Sequence, residues 1–223
     1  MDRKLSASMM CSDLVNLDKT IQVFEEEGVE YLHIDVMDGE FVPNFGLGVD
    51  YIRGLRELTS IPLDIHLMIK NPEYKLQWIG IKNTDIVSVH YESTYQVQRV
   101  IDWMEQYGCQ KFLAINPATP IYVLEEVLDY IDGINLLMVN PGFAGQKIVP
   151  STIDKARRLQ EFLKERNKDD LIVEVDGNIN PENGHILSLL GASIFVAGSS
   201  SIFRGQVNDY IRNIKEMRKS INA

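Results

Sequence analysis

Six ionisable side chains that recur in phase have the types that gather a divalent cation: His33, Asp35, Asp64, His66, Glu174 and Asp176. Each lies two positions from another polar or soft side chain, in His33-Ile34-Asp35-Val36-Met37, Asp64-Ile65-His66-Leu67-Met68 and Glu174-Val175-Asp176. On a strand, residues two apart share a face. Ser6 and Ser8 repeat the pattern near the start of the chain. If these faces turn into one cavity, two imidazoles and two carboxylates converge. That donor set suits Zn, Fe, Co or Mn. A lone histidine on a strand is more often a core residue with its hydrogen bonds met. Three segments carrying in-phase ionisable groups weaken that bland account, because burying several unpaired charges costs many kcal/mol. Asp64 and Glu174 are expected to orient the ligands or simply to fill the interior. His90 is read as structural, and His185, within a helical segment, as exposed.

Two glycine-rich turns accompany this set, Asn140-Pro141-Gly142-Phe143-Ala144-Gly145-Gln146 and Ala197-Gly198-Ser199-Ser200-Ser201. Glycine lets backbone N–H groups approach a ligand closely, and free N–H groups bind anions. With Asp176-Gly177-Asn178 they favour a phosphate site.

The elements that must position these residues are short apolar runs alternating with amphipathic segments. The expected strands are Leu5–Met10, Tyr31–Asp35, Leu63–Met68, Ile86–His90, Phe112–Asn116, Leu136–Val139, Ile172–Asp176 and Ile194–Ala197. Between them lie expected helices at Leu14–Glu27, Gln96–Tyr107, Ile121–Asp129, Ser151–Glu165 and Glu182–Leu190, with Gln206–Ser220 last. Ser12-Asp13, Asn71-Pro72, Thr119-Pro120 and Asn180-Pro181 read as helix starts. Gly28, Gly108 and Gly191 read as helix ends. Regular alternation implies a parallel sheet with both faces covered. No linker divides the chain, and the first strand is followed by Met10-Cys11-Ser12-Asp13 rather than the glycine-rich turn of a dinucleotide-binding fold. The expectation is a single-domain α/β chain over 1–223, a closed (β/α)8 TIM barrel with its site at the C-terminal ends of the strands.

The composition is ordinary for a globular protein, with 45% hydrophobic and 24% charged residues. A net charge of −10 and no basic stripe argue against nucleic acid as a partner. Lys155, Arg157 and Arg158 read as a solvated helix face. Cys11 and Cys109 stand alone, without a zinc or disulfide spacing. No run approaches the length of a membrane span, and MDRKLSASMM is too short and polar for a signal peptide. A cytoplasmic protein with no membrane partner is expected.

The motifs together resemble the ribulose-phosphate 3-epimerase family. The resemblance rests on His33-Ile34-Asp35-Val36-Met37-Asp38-Gly39 with Phe41-Val42-Pro43-Asn44, and on Asp64 to Met68. It also rests on Asn116-Pro117-Ala118-Thr119-Pro120, Val139 to Gln146, Glu174 to Gly177 and Val196 to Ser199. It implies a barrel enzyme in which His33, Asp35, His66 and Asp176 bind one divalent transition metal. Asp35 and Asp176 are implied to be the paired acid and base. Ser8 and His66 would contact the substrate, a phosphorylated ketose. Met37, Met68 and Met138 would cap the reacting carbons. Gly142, Phe143, Ala144, Gly145, Gly177, Asn178, Gly198 and Ser199 would hold the phosphate, and a homo-oligomer is expected. Ala144, Asn178 and the start Ser8-Met9-Met10-Cys11-Ser12-Asp13-Leu14 depart from the pentulose-phosphate pattern. They resemble the D-allulose-6-phosphate 3-epimerase branch. The expected reaction is therefore D-allulose 6-phosphate to D-fructose 6-phosphate, with D-ribulose 5-phosphate to D-xylulose 5-phosphate as the alternative.

Such chemistry needs two acid–base groups on opposite faces of a carbon next to a carbonyl. A Schiff-base aldolase is disfavoured, because Lys4 and Lys111 precede strands rather than end them. A decarboxylase would want a lysine where Val36 and Met37 stand. A dehydrogenase would want the missing GxGxxG fingerprint. A non-catalytic barrel binding a metal or sugar phosphate is the alternative of another class.

Overall fold

The computed structural model describes residues 3–223. The first two residues of the expected 1–223 domain and of the N-terminal segment lie outside the described residues. Eight runs rich in Ile, Leu and Val form β1 (Lys4–Ser8), β2 (Tyr31–Met37), β3 (Leu63–Met68), β4 (Ile86–His90), β5 (Gln110–Ile115), β6 (Gly133–Leu137), β7 (Ile172–Asp176) and β8 (Ile194–Ala197). Each pairs in parallel with its sequence neighbour, and β8 closes the ring on β1. The molecule is thus a single-domain (β/α)8 barrel, as the alternation predicts. The helices are α1 (Leu17–Glu26), α2 (Val49–Leu58), α3 (Leu76–Ile79), α4 (Val97–Glu105), α5 (Ser151–Glu165), α6 (Pro181–Leu189) and α7 (Val207–Ile221). No helix of the described residues is long and apolar enough to cross a membrane.

Several local expectations shift. Ile121–Val127 is a 3-10 segment rather than an α-helix. The first helix begins at Leu17 because the Asp13 carboxylate instead holds a turn, accepting from the Val15 N–H and the Asn16 amide. Asn180 caps α6 by accepting from the Asn183 N–H at 2.8 Å. Asn71 does not cap its segment; it adopts the left-handed conformation at φ 50°. Lys155 is not part of a solvated face. On α5 the buried positions are Thr152, Lys155, Ala156, Leu159 and Leu163, so Lys155 falls on the inward stripe. Its ammonium donates to the Asn116 and Pro117 carbonyls at 2.6 and 3.3 Å. His185 is half-buried on the Ser220 carbonyl rather than exposed.

Two apolar regions result from the period-two alternation. Outward residues such as Leu32, Ile34, Ile65 and Val175 pack with helix residues such as Phe24 and Leu159 in the main core. Inside the ring, Tyr31, Ile86, Phe112 and Ile194 form a separate cluster with Ile172 packed on it. Four of these five open their strands, so the cluster closes the N-terminal end of the barrel. Gly133 makes room for it: a Cβ there would lie 2.5 Å from the Phe112 ring.

Candidate active site

Above that plug the inward positions turn polar. Ser6, Asp64, Ser88, Asn135 and Glu174 are all fully buried. Asp64 accepts from Ser6 Oγ at 2.7 Å and stands 2.6 Å from His33 Nδ1. A carboxylate at that distance keeps a ring proton on Nδ1, so Nε2 is the nitrogen left to serve as a ligand. Burial pushes the Glu174 carboxyl well above its usual range, and the neighbouring charge of Asp64 adds to the push. The environment of Glu174 thus favours its neutral form more than that of an exposed glutamate would. Burial alone would raise Asp64 too, but His33 and Ser6 outweigh it and hold Asp64 below the usual carboxylate range.

One step further along the strands, His33, Asp35, His66 and Asp176 converge. One ligand atom from each lies within 4.8 Å of the others. His33 Nε2 is 3.3 Å from Asp35 Oδ1 and 3.8 Å from Asp176 Oδ2. His66 Nδ1 is 3.3 and 3.4 Å from the same two oxygens. Both nitrogens are buried and have no hydrogen-bond partner. Buried polar atoms are normally paired. Here nitrogen lone-pair positions and carboxylate oxygens face a common centre at distances longer than a good hydrogen bond. That is the arrangement of ligands around an ion, and two neutral imidazoles with two carboxylates balance a divalent charge. Burial disfavours charge on both rings, yet the surrounding aspartates outweigh it and raise His33 and His66 above the usual histidine value. The site thus has a surplus of negative charge for a cation to neutralise. Asp35 is held below its usual range: burial opposes its charge, but the two histidines prevail.

A cavity of about 300 Å³ opens directly above. Its walls carry Ser8, Asp35, Met37, Met68 and Asp176, together with residues 142–145, Gly177, Asn178, Gly198 and Ser199. His33 and His66 are fully buried against Asp35, which does line it, and are not themselves part of the wall. Ser8 Oγ stands 3.4 Å from Asp35 Oδ2. The three glycine turns meet at this rim as the sequence predicts. Gly177 takes φ 109°, and a Cβ there would lie 2.6 Å from Val139, so only glycine fits. The Asn178 amide then donates to the Gln146 carbonyl at 2.8 Å and ties two of the turns together.

Met138 is the exception. It is buried in the outer core, and its flanking residues Leu137 and Val139 line the cavity instead. The alternation places neighbours on opposite faces, so β6, which ends at Leu137, turns Met138 outward. Met10, not singled out from the sequence, lines the cavity and packs on the Met37, Val42 and Met68 cluster. His90, read as merely structural, touches a cluster member, with Nε2 2.8 Å from His66 Nε2.

A sequence model described as the Ribulose-phosphate 3 epimerase family matches residues 4–203. The chain belongs to this family. Ribulose-phosphate 3-epimerase of Bacillus subtilis (strain 168) is 37% identical over 97% of the chain and 99% of that protein. The chloroplastic ribulose-5-phosphate-3-epimerase of Arabidopsis thaliana is 36% identical over 97% of the chain and 76% of that protein. In fold alone, the chain matches 3-hexulose-6-phosphate synthase from Salmonella typhimurium with a TM-score of 0.71 at 16% identity, covering 98% of each chain. Membership of the ribulose-phosphate 3-epimerase family makes this protein an isomerase acting on carbohydrate. The closed barrel with its polar mouth is where such an enzyme places its chemistry.

Proposed function

We propose that this protein inverts C3 of a phosphorylated ketose, interconverting D-ribulose 5-phosphate and D-xylulose 5-phosphate. The observation that carries the reading is the convergence of Asp35 from β2 and Asp176 from β7 on one cavity, over two histidines with bare buried nitrogens. β1 and β8 separate these strands in the ring, so the two carboxylates reach the cavity from different sides. In this scheme one aspartate removes the C3 proton from one face and the other returns a proton to the opposite face. In reverse the roles exchange. The intermediate is a flat enediolate carrying negative charge on its oxygens.

His33, Asp35, His66 and Asp176 are the residues that would hold one divalent transition metal of the Zn, Fe, Co or Mn kind. Bound there, it supplies Lewis-acid stabilisation of that charge. The methionines Met37 and Met68 keep bulk water off the flat intermediate, and Ser8 offers a hydroxyl beside Asp35. The turns at 142–145, 177–178 and 198–199 would cradle the phosphate through backbone N–H groups. That anchorage positions C3 between the aspartates.

The relatives favour the pentulose phosphate. The loop variants Ala144, Asn178 and Ser8–Leu14, which pointed to D-allulose 6-phosphate, gain no support from them. The test is kcat/KM for both sugars on one preparation, with solvent deuterium entering C3. A higher value for the pentulose phosphate is expected. A higher value for the hexulose phosphate would reverse the choice of sugar. No deuterium at C3 of either sugar would leave only a binding protein.

A further inference from the structure

We propose that His90 and Glu92 are positioning residues that fix the ring tautomer of His66, and so aim its bare Nδ1 into the four-residue cluster. This rests on the reading of His66 as a metal ligand. His33 and His66 both present an unpartnered nitrogen to the cluster, but they are held differently. Behind His33 stands a carboxylate, Asp64, in direct contact. Behind His66 stands a second imidazole, with the two Nε2 atoms 2.8 Å apart. At that separation a single proton lies between the rings, and either ring could own it.

Glu92 decides which. Its Oε2 is 3.2 Å from His90 Nδ1. Its Oε1 is already engaged, accepting from the Asn116 N–H at 2.9 Å and from the Thr119 hydroxyl. A carboxylate only accepts, so His90 Nδ1 carries the proton of that contact. A neutral His90 then has a bare Nε2 and accepts from His66 Nε2–H. His66, with its proton on Nε2, leaves Nδ1 bare. That atom faces Asp35 and Asp176 at 3.3 and 3.4 Å.

The geometry is held from outside the cavity. His90 is fully buried, its ring nearly parallel to that of His66 and meeting it edge to edge with centroids 4.9 Å apart, and it is covered by Phe41 at 4.8 Å. Glu92 is fixed through the Asn116 segment, whose carbonyl takes the buried Lys155 ammonium. Neither residue offers an atom to the four-residue cluster, and neither lines the cavity.

The decisive variant is Glu92→Gln, which keeps the shape and one acceptor oxygen for Asn116 and Thr119. Its amide must then donate to His90 Nδ1, and the chain of donors reverses until a proton sits on His66 Nδ1. Measured on zinc-loaded enzyme by chelator competition, the zinc dissociation constant should rise about tenfold to a hundredfold. The 15N resonance of His66 Nδ1 should move into the protonated range, and kcat should fall with KM little changed. Glu92→Asp, which keeps the charge, should recover part of the affinity. If Glu92→Gln folds poorly, His90→Gln and His90→Leu decide the matter. The glutamine can accept from His66 and donate to Glu92, so it should keep zinc where the leucine loses it. Zinc affinity and His66 resonances unchanged in Glu92→Gln, or equal loss in both His90 variants, would overturn the relay. Zinc that leaves the wild-type His66 resonances unmoved would instead refute His66 as a ligand, while the tautomer shift in Glu92→Gln would still judge the relay.

Discussion

The two ends of the barrel interior are built from the same strands and serve opposite ends. At the N-terminal end, Tyr31, Ile86, Phe112, Ile172 and Ile194 form an apolar plug. At the C-terminal end, two or four residues later on β2 and β7, the same inward faces carry His33, Asp35, Glu174 and Asp176. The plug gains from burial and asks only for volume and shape. The mouth buries charge at a cost that a packed apolar layer would not incur. A strand can therefore change its task within two residues while its outward face keeps packing on the helices. Stability and chemistry are separable along it.

The largest effect that tests this separation is at the mouth. Asp176→Asn should lower kcat by about a hundredfold to ten-thousandfold while thermal unfolding stays within a few degrees of wild type. Near-native turnover in that variant would remove Asp176 from the proton transfer. Next, exhaustive dialysis against a chelator should reduce turnover by about a hundredfold or more. Added Zn, Co, Mn or Fe should restore it; full activity in a preparation shown by elemental assay to be metal-free would defeat the metal reading. The plug should behave the other way round. Phe112→Ala should cost about 3–5 kcal/mol of unfolding free energy in denaturant titration, with the folded enzyme retaining its kcat. A parallel loss of kcat would mean that the two ends are coupled.

The smallest effect sharpens the boundary between the ends. Glu92 titrates at about 2. Burial works against its charge, but the hydrogen bond from His90, with the Thr119 and Asn116 donors, overcomes it. A carboxyl depressed in the folded state gives its full stabilisation above its unfolded value near 4.5 and loses it as pH falls through the folded value. The stability difference between wild type and Glu92→Gln should therefore shrink as pH drops from 4.5 towards 2. A difference that is flat across that window in acid unfolding curves would show that the Glu92 carboxylate is not engaged as described.

Most of the barrel was legible because strands buried on both faces read as apolar runs. The four-residue cluster was legible because its members fall in phase on strands. β6 was not. Its Gly133-Ile134-Asn135 start looks like a turn, since Gly133 is demanded by the Phe112 ring and Asn135 by the polar interior. The strand expected at Leu136–Val139 runs instead from Gly133 to Leu137, and Met138, which the family resemblance implied to be a cavity residue, faces outward. Lys155 could have been found from its spacing, as it shares the inward stripe with Thr152 and Leu159. His90 could not. One histidine ending a strand carries no mark of its partner, and only the pairing of β3 with β4 brings it against His66. Met10 likewise sits in a 3-10 turn with no periodicity to give its direction.

The plug has a kinetic corollary. With the N-terminal end of the ring filled by packed rings and branched side chains, the barrel offers no passage through that end. Whatever leaves must leave by the end that the next molecule needs. The two epimers should therefore compete with each other for the empty protein, and each should inhibit the other's conversion in a strictly competitive pattern.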